Sequence, residues 1–286
     1  MNLDRPPFKI IPGQSAQDVA IDIVAAFKSI ENQPNRVSRS FTTITDRLAI
    51  DRGHPLIKAG FSLAQTVDTE AYTYNNPYHN SQHDCEVMLC SYFLSLLSDM
   101  NDQMTAKIIL AALIHDFHHD GKSNGEIPFR LELKAIHEAT PYLTRAKVSQ
   151  AQQRCLAALV MATEHLNGID IVHACYSHHT QGDSLPEIPA AAIELEELCT
   201  DPVKSKLALI LCEADILPSI GLTFEHALRL QDNLSLEWDA RLGLEDKLHF
   251  IDHNCHAFVV GSMFNSNVEK LRQAIVHQLD NMTYGR

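Results

Sequence analysis

Seven apolar residues lead straight into a histidine and an aspartate in IILAALIHDFHHDG, the segment that runs from Ile108 to Gly121. His115 continues the helical face that Ile108 and Ala111 begin, so an imidazole and the neighbouring carboxylate of Asp116 enter the core side by side. Burying polar groups without partners is costly. A metal ion satisfies both side chains, and an internal hydrogen bond between them is the alternative.

Helical periodicity continues on both sides of this segment, and the clean alternation of strands is almost absent. Ser15 can cap a first helix, and Asn80 or Ser81 can begin another. The remaining helices are expected over 55–67, 105–118, 129–139, 149–166, 189–199, 202–217, 222–236, 245–263 and 266–281, with a loop over 120–128. The sequence therefore predicts an all-α fold, in which an N-terminal helical segment over 1–55 packs on a main domain over 56–286.

The composition is that of an ordinary globular protein, with 286 residues, 45% hydrophobic and 21% charged. The 23 basic and 36 acidic residues give a net charge of −13, which argues against a broad nucleic-acid or anionic-membrane surface. The longest apolar run, Ile108 to Ile114, is shorter than the roughly 20 residues that span a bilayer, and no secretory signal is visible. Seven cysteines without Cys-x-x-Cys spacing favour a reduced, cytoplasmic protein with mostly buried thiols.

Two further stretches carry polar groups at helical spacing. In YHNSQH, residues 78–83, His79 and His83 are four apart and share a helix side, although two solvated histidines are the simpler interpretation. Asp215 extends an apolar stripe through Leu207 and Leu211, where a carboxylate needs a partner or a metal unless it turns to solvent before Pro218.

Together these stretches supply two imidazoles and two carboxylates on three helices, from His83, His115, Asp116 and Asp215. Nitrogen and oxygen ligands without a thiolate suit Zn²⁺, Fe or Mn²⁺ and favour a catalytic over a closed structural site. Asp116 can bridge to a second, harder ion such as Mg²⁺ or Mn²⁺. Two ions about 3.5–4 Å apart are the usual arrangement for phosphoester hydrolysis.

The order of the motifs resembles the class I cyclic nucleotide phosphodiesterases, within the wider HD-domain metallohydrolases. That family shows Tyr-His-Asn-x-x-His, then His-Asp-x-x-His-x-Gly, an Ala-Thr-Asp segment and Ala-Asp-Ile. The matching positions in this sequence are 78–83, 115–121, 162–164 and 214–216. The resemblance runs from about Tyr78 to Phe264, and it implies a compact multi-helix bundle with the metal site between helices.

The resemblance also implies a role for each matched residue. His83, His115, Asp116 and Asp215 would hold the tighter metal, usually zinc, and Asp116 would also reach a second metal, usually magnesium or manganese. His119 would support that second metal through water, and His79 would be the general acid that protonates the leaving 3′ oxygen. Two acids each have two interpretations: Glu132 orients a metal-bound water near His79 or is a solvated helix acid, and the same holds for Glu164.

The sequence departs from the family at the positions that surround the base. Leu217-Pro218-Ser219 replaces Ser-Asn-Pro, and the purine-reading Gln is matched by Lys247 or, in a shifted alignment, by Cys255. A lysine only donates hydrogen bonds, whereas an amide donates and accepts. Tyr78, Lys247 and Phe250 are the pocket candidates, although Lys247 beside Glu245 and Asp246 is expected at the surface and Phe250 in the core.

The predicted function is a metal-dependent phosphodiesterase that cleaves a 3′,5′-cyclic mononucleotide or a related small phosphoester by in-line attack of a metal-bridging hydroxide. The expected partners are a small phosphoester or nucleotide, with no nucleic acid and no membrane, and a homodimer is compatible with the sequence. Two alternatives stay open: another HD-domain enzyme, either a nucleotidase or an iron-dependent oxygenase, and a binding module that kept the metal cage without turnover.

Overall fold

The computed structural model describes residues 1–70, 76–254 and 258–284, and within these ranges all regular structure is helical. The predicted all-α class is therefore confirmed. The α-helices are α1 (Ala16–Ile30), α2 (Arg36–Thr45), α3 (Pro55–Glu70), α4 (Ser81–Leu97), α5 (Asp102–Ile114), α6 (Arg130–Arg145), α7 (Gln150–Met161), α8 (Gly168–Gln181), α9 (Glu196–Thr200), α10 (Pro202–Ile220), α11 (Phe224–Glu237), α12 (Leu244–Asn254) and α13 (Asn265–Tyr284). Short 3₁₀ helices cover Ala190–Leu195 and Ser262–Phe264.

Side-chain caps set where the site-bearing helices begin. Asn80 accepts hydrogen bonds from the backbone N–H groups of Gln82 and His83 and so starts α4. Asp201 caps α10 in the same way, with a proline at the first helical position. These caps satisfy backbone donors that the helix itself leaves free, and the first of them fixes His83 in the first turn of α4.

Three helices occupy the centre of the molecule. α4, α5 and α10 pack against one another, and both α4 and α10 are buried along most of their length. The run from Ile108 to Ile114 in α5 is almost completely inaccessible to solvent. A helix that is buried on all sides places every polar side chain it carries inside the protein, so the polar groups on these helices must find internal partners.

The N-terminal helices join the same core. Phe27 of α1 and Phe41 of α2 are fully buried, and α1 and α2 both pack on α4. A buried ion pair also ties α4 to α11, because Glu86 Oε2 lies 3.0 Å from His226 Nε2. Arg229, which is also on α11, forms an ion pair with Glu31, the residue that directly follows α1.

Several expected helix limits were wrong. α2 and α8 were not predicted, and the helices expected over 105–118 and 149–166 end at Ile114 and Met161. The helix expected over 245–263 is described as far as Asn254, and residues 259–261 are not part of it, since the backbone N–H groups of Val259, Val260 and Gly261 donate to the Glu213 carboxylate. The alternative alignment through Cys255 lies outside the described residues.

The cysteines also depart from expectation. Cys175 of α8 and Cys199 of α9 form a disulfide, whereas the sequence favoured reduced thiols throughout. Four described cysteines are free and buried, as expected: Cys85, Cys90, Cys155 and Cys212. Among the described residues no single helix has the length and apolar character to cross a bilayer, and one bent pair, α10 with α11, passes by length and composition alone.

Candidate metal centre and active site

Four donor atoms converge between α4, α10 and the end of α5. His83 Nε2 lies 3.2 Å from both Asp116 Oδ2 and Asp215 Oδ1, while His115 Nε2 lies 3.2 Å and 3.5 Å from the same two oxygens. The two imidazole nitrogens are 3.4 Å apart. His83, His115 and Asp215 therefore form one group that could hold a metal ion, and Asp116 lies within 3.2 Å of both imidazole nitrogens of that group.

Hydrogen bonding prepares one of the imidazoles for this role. His115 Nδ1 lies 2.8 Å from the carbonyl oxygen of Ala112, and because a carbonyl only accepts, Nδ1 carries the proton. The lone pair of Nε2 then faces the other three donors. An outer hydrogen bond that fixes the tautomer is the usual support of a metal-binding histidine.

The two carboxylates make this centre strongly negative. Burial lowers the pKa of His83, but hydrogen bonds to Asp116 and Asp215 outweigh burial and raise it to about 10. In return, the two imidazoles hold the pKa of the Asp215 carboxyl well below its usual range, against the opposing effect of burial. A buried site that favours positive charge this strongly is suited to a divalent cation.

A second group adjoins the first and shares Asp116. His79, Asp116 and His119 offer donor atoms within 4.8 Å of one another, and the rings of His79 and His119 stack with centroids 3.7 Å apart. Burial and the neighbouring His79 lower the pKa of His119 to about 4, so the ring is neutral. Its Nδ1 accepts from the backbone N–H of Gly121 at 3.1 Å, which leaves the proton on Nε2. A ring in this tautomer can contact an ion through an intervening water.

Glu237, at the end of α11, holds the candidate general acid. Its Oε1 lies 2.5 Å from His79 Nδ1, and its Oε2 accepts from the backbone N–H groups of Tyr78 and His79, both at 2.8 Å. Burial raises the pKa of Glu237, but these hydrogen bonds outweigh burial. The pKa is therefore lowered overall, and the carboxyl is ionised. Sequence analysis missed this residue, because 158 positions separate it from His79 and no local pattern links the two.

Both groups open into one cavity of about 350 Å³. This volume suits a small ligand. The metal-facing end is formed by His79, His115, Asp116, His119 and Asp215. Leu230, Leu234, Trp238, Leu242 and Phe250, which come from α11, α12 and the loop between them, also line the cavity and form its apolar wall.

The two acids with open assignments have different hydrogen-bond partners. Glu132 lines the cavity and accepts a hydrogen bond from Asn124 Nδ2 at 3.0 Å, and burial raises its pKa to about 7. Among the described contacts, the carboxylate that meets His79 is Glu237 rather than Glu132. Glu164 accepts from the backbone N–H groups of Asn167 and Gly168 at the start of α8.

The pocket candidates all line the cavity. The Tyr78 hydroxyl lies 3.1 Å from Ser219 Oγ, and burial raises the pKa of Tyr78. Phe250 is half-buried in the apolar wall. Lys247 is only 6% exposed, so the expectation of a surface lysine was wrong; α12 turns this side inward while Glu245 and Asp246 stay exposed.

Comparisons with known proteins agree with this site. Residues 78–165 match the family model described as 3′5′-cyclic nucleotide phosphodiesterase, which covers the first two metal-binding motifs and ends just after the Ala162-Thr163-Glu164 segment. No curated protein matches the chain in sequence. The segment that carries His83, His115 and Asp116 is therefore similar to that family.

Solved structures show the same fold. The chain resembles the phosphodiesterase domain of the RhoPDE fusion protein from the choanoflagellate Salpingoeca rosetta with a TM-score of 0.56 and 17% identity, over 96% of this chain and 92% of that one. A second structure, of the phosphodiesterase domain of Salpingoeca rosetta rhodopsin phosphodiesterase, gives a TM-score of 0.60 and 17% identity over 99% and 96%. These likenesses confirm the predicted all-α fold, and the family match over residues 78–165 agrees with the resemblance that the motifs indicated.

Proposed function

We propose that this protein hydrolyses a 3′,5′-cyclic mononucleotide, or a closely related small phosphoester, with two divalent ions. His83, His115, Asp116 and Asp215 would hold a Zn²⁺, Fe or Mn²⁺ ion, and Asp116 would share a Mg²⁺ or Mn²⁺ ion that His119 supports through water. Bound divalent ions polarise phosphoryl oxygens and supply a nucleophile from water at neutral pH. The observation that carries the proposal is that two adjoining groups of metal-ligand side chains and an oriented histidine meet at one cavity.

His79 supplies the proton that the leaving group needs. A ribose 3′ alkoxide is a poor leaving group, so a positioned acid accelerates its departure, typically by about 10²–10⁴-fold. Glu237 accepts a hydrogen bond from Nδ1–H of His79, and the other ring nitrogen, Nε2, is then the one that can donate to a ligand in the cavity. The ionised carboxylate also stabilises the imidazolium form that delivers this proton.

The shape of the cavity favours a nucleotide over a larger ester. The metal-facing end takes the phosphodiester, and the apolar wall with Phe250 and Trp238 takes a flat base. The net charge of −13 favours a small substrate over a nucleic acid, because a long polyanion meets repulsion outside the metal centre.

The direct test is a product assay with purified, Mn²⁺-loaded protein. The substrates are 3′,5′-cyclic purine and pyrimidine mononucleotides, 2′,3′-cyclic nucleotides and a bis-aryl phosphate, with His79→Ala as the comparison. We expect release of a 5′-mononucleotide from a 3′,5′-cyclic substrate, and loss of that release in the variant. Metal-loaded protein that turns over none of these compounds would contradict the proposal, as would iron content combined with uptake of O₂.

The assignment of the metal ligands has its own test. Asp215→Ala removes one of four donors from the centre, so we expect metal content to fall and activity to drop at least about hundredfold, since even the residues that support ligands cost about 10–100-fold. Circular dichroism should show the fold retained. Full activity in this variant would refute the ligand assignment.

A further inference from the structure

Lys247 is a buried cation in the cavity wall. Its side chain lies on α12, the residue is 6% exposed, and Nζ sits 5.6 Å from the centroid of the Phe250 ring. Among the described parts of the chain, its ammonium has neither a hydrogen-bond acceptor nor a carboxylate within ion-pair distance. The neighbouring acid Asp246 instead accepts from the backbone N–H of Gly243. Buried lysines are rare and normally paired.

The position of this ammonium is built by the surrounding structure. Gln231 of α11 donates to the carbonyl oxygens of Leu242 and Gly243, at 3.1 Å and 2.6 Å, and so fixes the turn before α12. The backbone N–H of Lys247 then donates to the same Gly243 carbonyl. The first turn of α12 is therefore held against α11, with Lys247 facing the cavity.

Lys247 differs from the other basic groups that line the cavity away from the metal-facing end. Lys122, His165, His249 and His253 also line the cavity, and all four are exposed to solvent. Burial lowers the pKa of Lys247 to about 8, which leaves the ammonium largely charged at neutral pH. A charged ammonium has three donors and no acceptor. A bound ligand that offers an acceptor would relieve its desolvation.

We infer that Lys247 donates a hydrogen bond to a carbonyl oxygen of the substrate base, and so selects oxo bases over amino bases. This inference rests on the proposed function, because the phosphodiester occupies the metal-facing end and the base then meets the apolar wall. Guanine, hypoxanthine and uracil present a carbonyl where adenine and cytosine present an amino group. An amino group would place donor against donor, whereas lysine and the acceptor edge of guanine are a common pair in recognition.

The apolar wall points to a base rather than to a second phosphate. Lys247 lies beside Phe250 and lines the same cavity as Leu230 and Leu234, and these apolar side chains suit the face of a flat ring. A phosphate carries three acceptor oxygens and is usually met by several convergent donors. A single buried donor beside an aromatic ring matches a single carbonyl oxygen.

Two pairs of substrates that differ only in this group test the inference. Inosine and adenosine 3′,5′-cyclic monophosphates differ as 6-oxo and 6-amino, and the uridine and cytidine forms differ as 4-oxo and 4-amino. We expect wild-type kcat/KM to favour the oxo member of each pair by about tenfold or more, the size of a charge-assisted hydrogen bond. In Lys247→Met the ratio should fall towards one, with oxo substrates losing activity and amino substrates gaining it.

Three controls separate a hydrogen bond from other effects. Lys122→Met removes a positive charge from the exposed rim of the same cavity, so it should change both members of a pair alike. Lys247→Gln can donate and accept, so its ratio should lie between those of wild type and Lys247→Met. Melting temperature and turnover of a bis-aryl phosphate would show that each variant is folded and keeps a working metal centre.

The outcomes distinguish the inference from the function on which it rests. A wild-type ratio near one, or an unchanged ratio in Lys247→Met, overturns the inference. So does a Lys247-dependent preference for a cyclic dinucleotide over every mononucleotide, which would assign the lysine to a phosphate. If the wild type cleaves none of the four substrates, the proposed function fails. The inference is then decided by a separate measurement, which compares inosine 5′-monophosphate with adenosine 5′-monophosphate as inhibitors of aryl phosphate turnover; stronger inhibition by the inosine compound would support it.

Discussion

At the residue scale, the candidate active site depends on Glu237, an acid that is not among the proposed metal ligands. Glu237 makes three contacts to Tyr78 and His79 through two oxygens, and its side chain is only 1% exposed. It therefore fixes both the backbone before α4 and the ring that faces the cavity. A histidine left to rotate would lose this alignment, as catalytic groups held by a partner carboxylate generally do.

Glu237→Gln should lower kcat for cyclic nucleotides by about hundredfold, within the range that general acids contribute. The loss should be much smaller for a bis(4-nitrophenyl) phosphate, because nitrophenolate leaves without a proton. Metal content should stay at the wild-type level, since Glu237 is not a ligand. The measurement is kcat on both substrates, with Glu225→Gln, an exposed acid in the first turn of the same helix, as the control. Equal losses on both substrates would show that Glu237 acts on something other than the leaving group.

The convergence of the candidate metal ligands was predictable from the sequence, whereas their partners were not. His115, Asp116 and Asp215 lie at the ends of apolar stripes. A polar side chain at such a position needs a partner, so the sequence pattern alone marks these residues as candidates. Glu237 stands in a helix whose other residues are mixed, so its carboxylate looks like any solvated acid. Lys247 follows two exposed acids, and only its burial in the folded protein shows that it faces the cavity.

At the element scale, α10 performs two tasks from opposite sides. Asp215 turns towards the metal centre, while Glu213 accepts three backbone hydrogen bonds from residues 259–261, at 2.7, 3.1 and 2.7 Å. Glu213 is 2% exposed, and burial raises its pKa although the three N–H groups lower it. The segment before α13 is thus anchored to the helix that carries a metal ligand.

Glu213→Ala should lower the free energy of unfolding by about 2–4 kcal/mol, because three backbone donors lose their acceptor and an unsatisfied buried donor costs about 1–3 kcal/mol. Glu213→Gln should cost less, since its amide oxygen can keep the two bonds from Val259 and Val260. Urea unfolding followed by circular dichroism measures the difference, with the exposed Glu126→Ala as control. An Ala variant as stable as wild type would contradict the anchoring role.

Helices with a strong apolar pattern were found from sequence, and those without one were missed. α4 and α10 carry long stripes and clear caps. α2 is RVSRSFTTIT, which is rich in β-branched and hydroxyl residues that favour other conformations in isolation. α8 begins at a glycine and holds three histidines, yet burial of Ile169, Val172 and Cys175 stabilises it. Tertiary packing, rather than local propensity, forms these two helices.

At the scale of the whole molecule, the metal centre links distant parts of the chain. Its four donors come from α4, from the residues that follow α5, and from α10, so an ion bound there joins the three central helices at one point. The unfolded chain cannot assemble these donors, and a ligand that binds only the folded state stabilises it in proportion to the logarithm of its concentration. Stability should therefore depend on metal.

Removing metal with a chelator should lower the melting temperature by about 5 °C or more, because saturation at a hundredfold excess over Kd adds about 2.7 kcal/mol and 1 kcal/mol is worth about 2–4 °C in a chain of this size. Returning Mn²⁺ or Zn²⁺ should restore it. Asp215→Asn should abolish this response, whereas Asp232→Asn, the same change at an exposed site, should keep it. Calorimetry at several metal concentrations measures the shift. If the melting temperature of the wild type does not change with metal concentration, the four side chains form only an internal hydrogen-bond network. The proposed hydrolysis would then lose its physical basis.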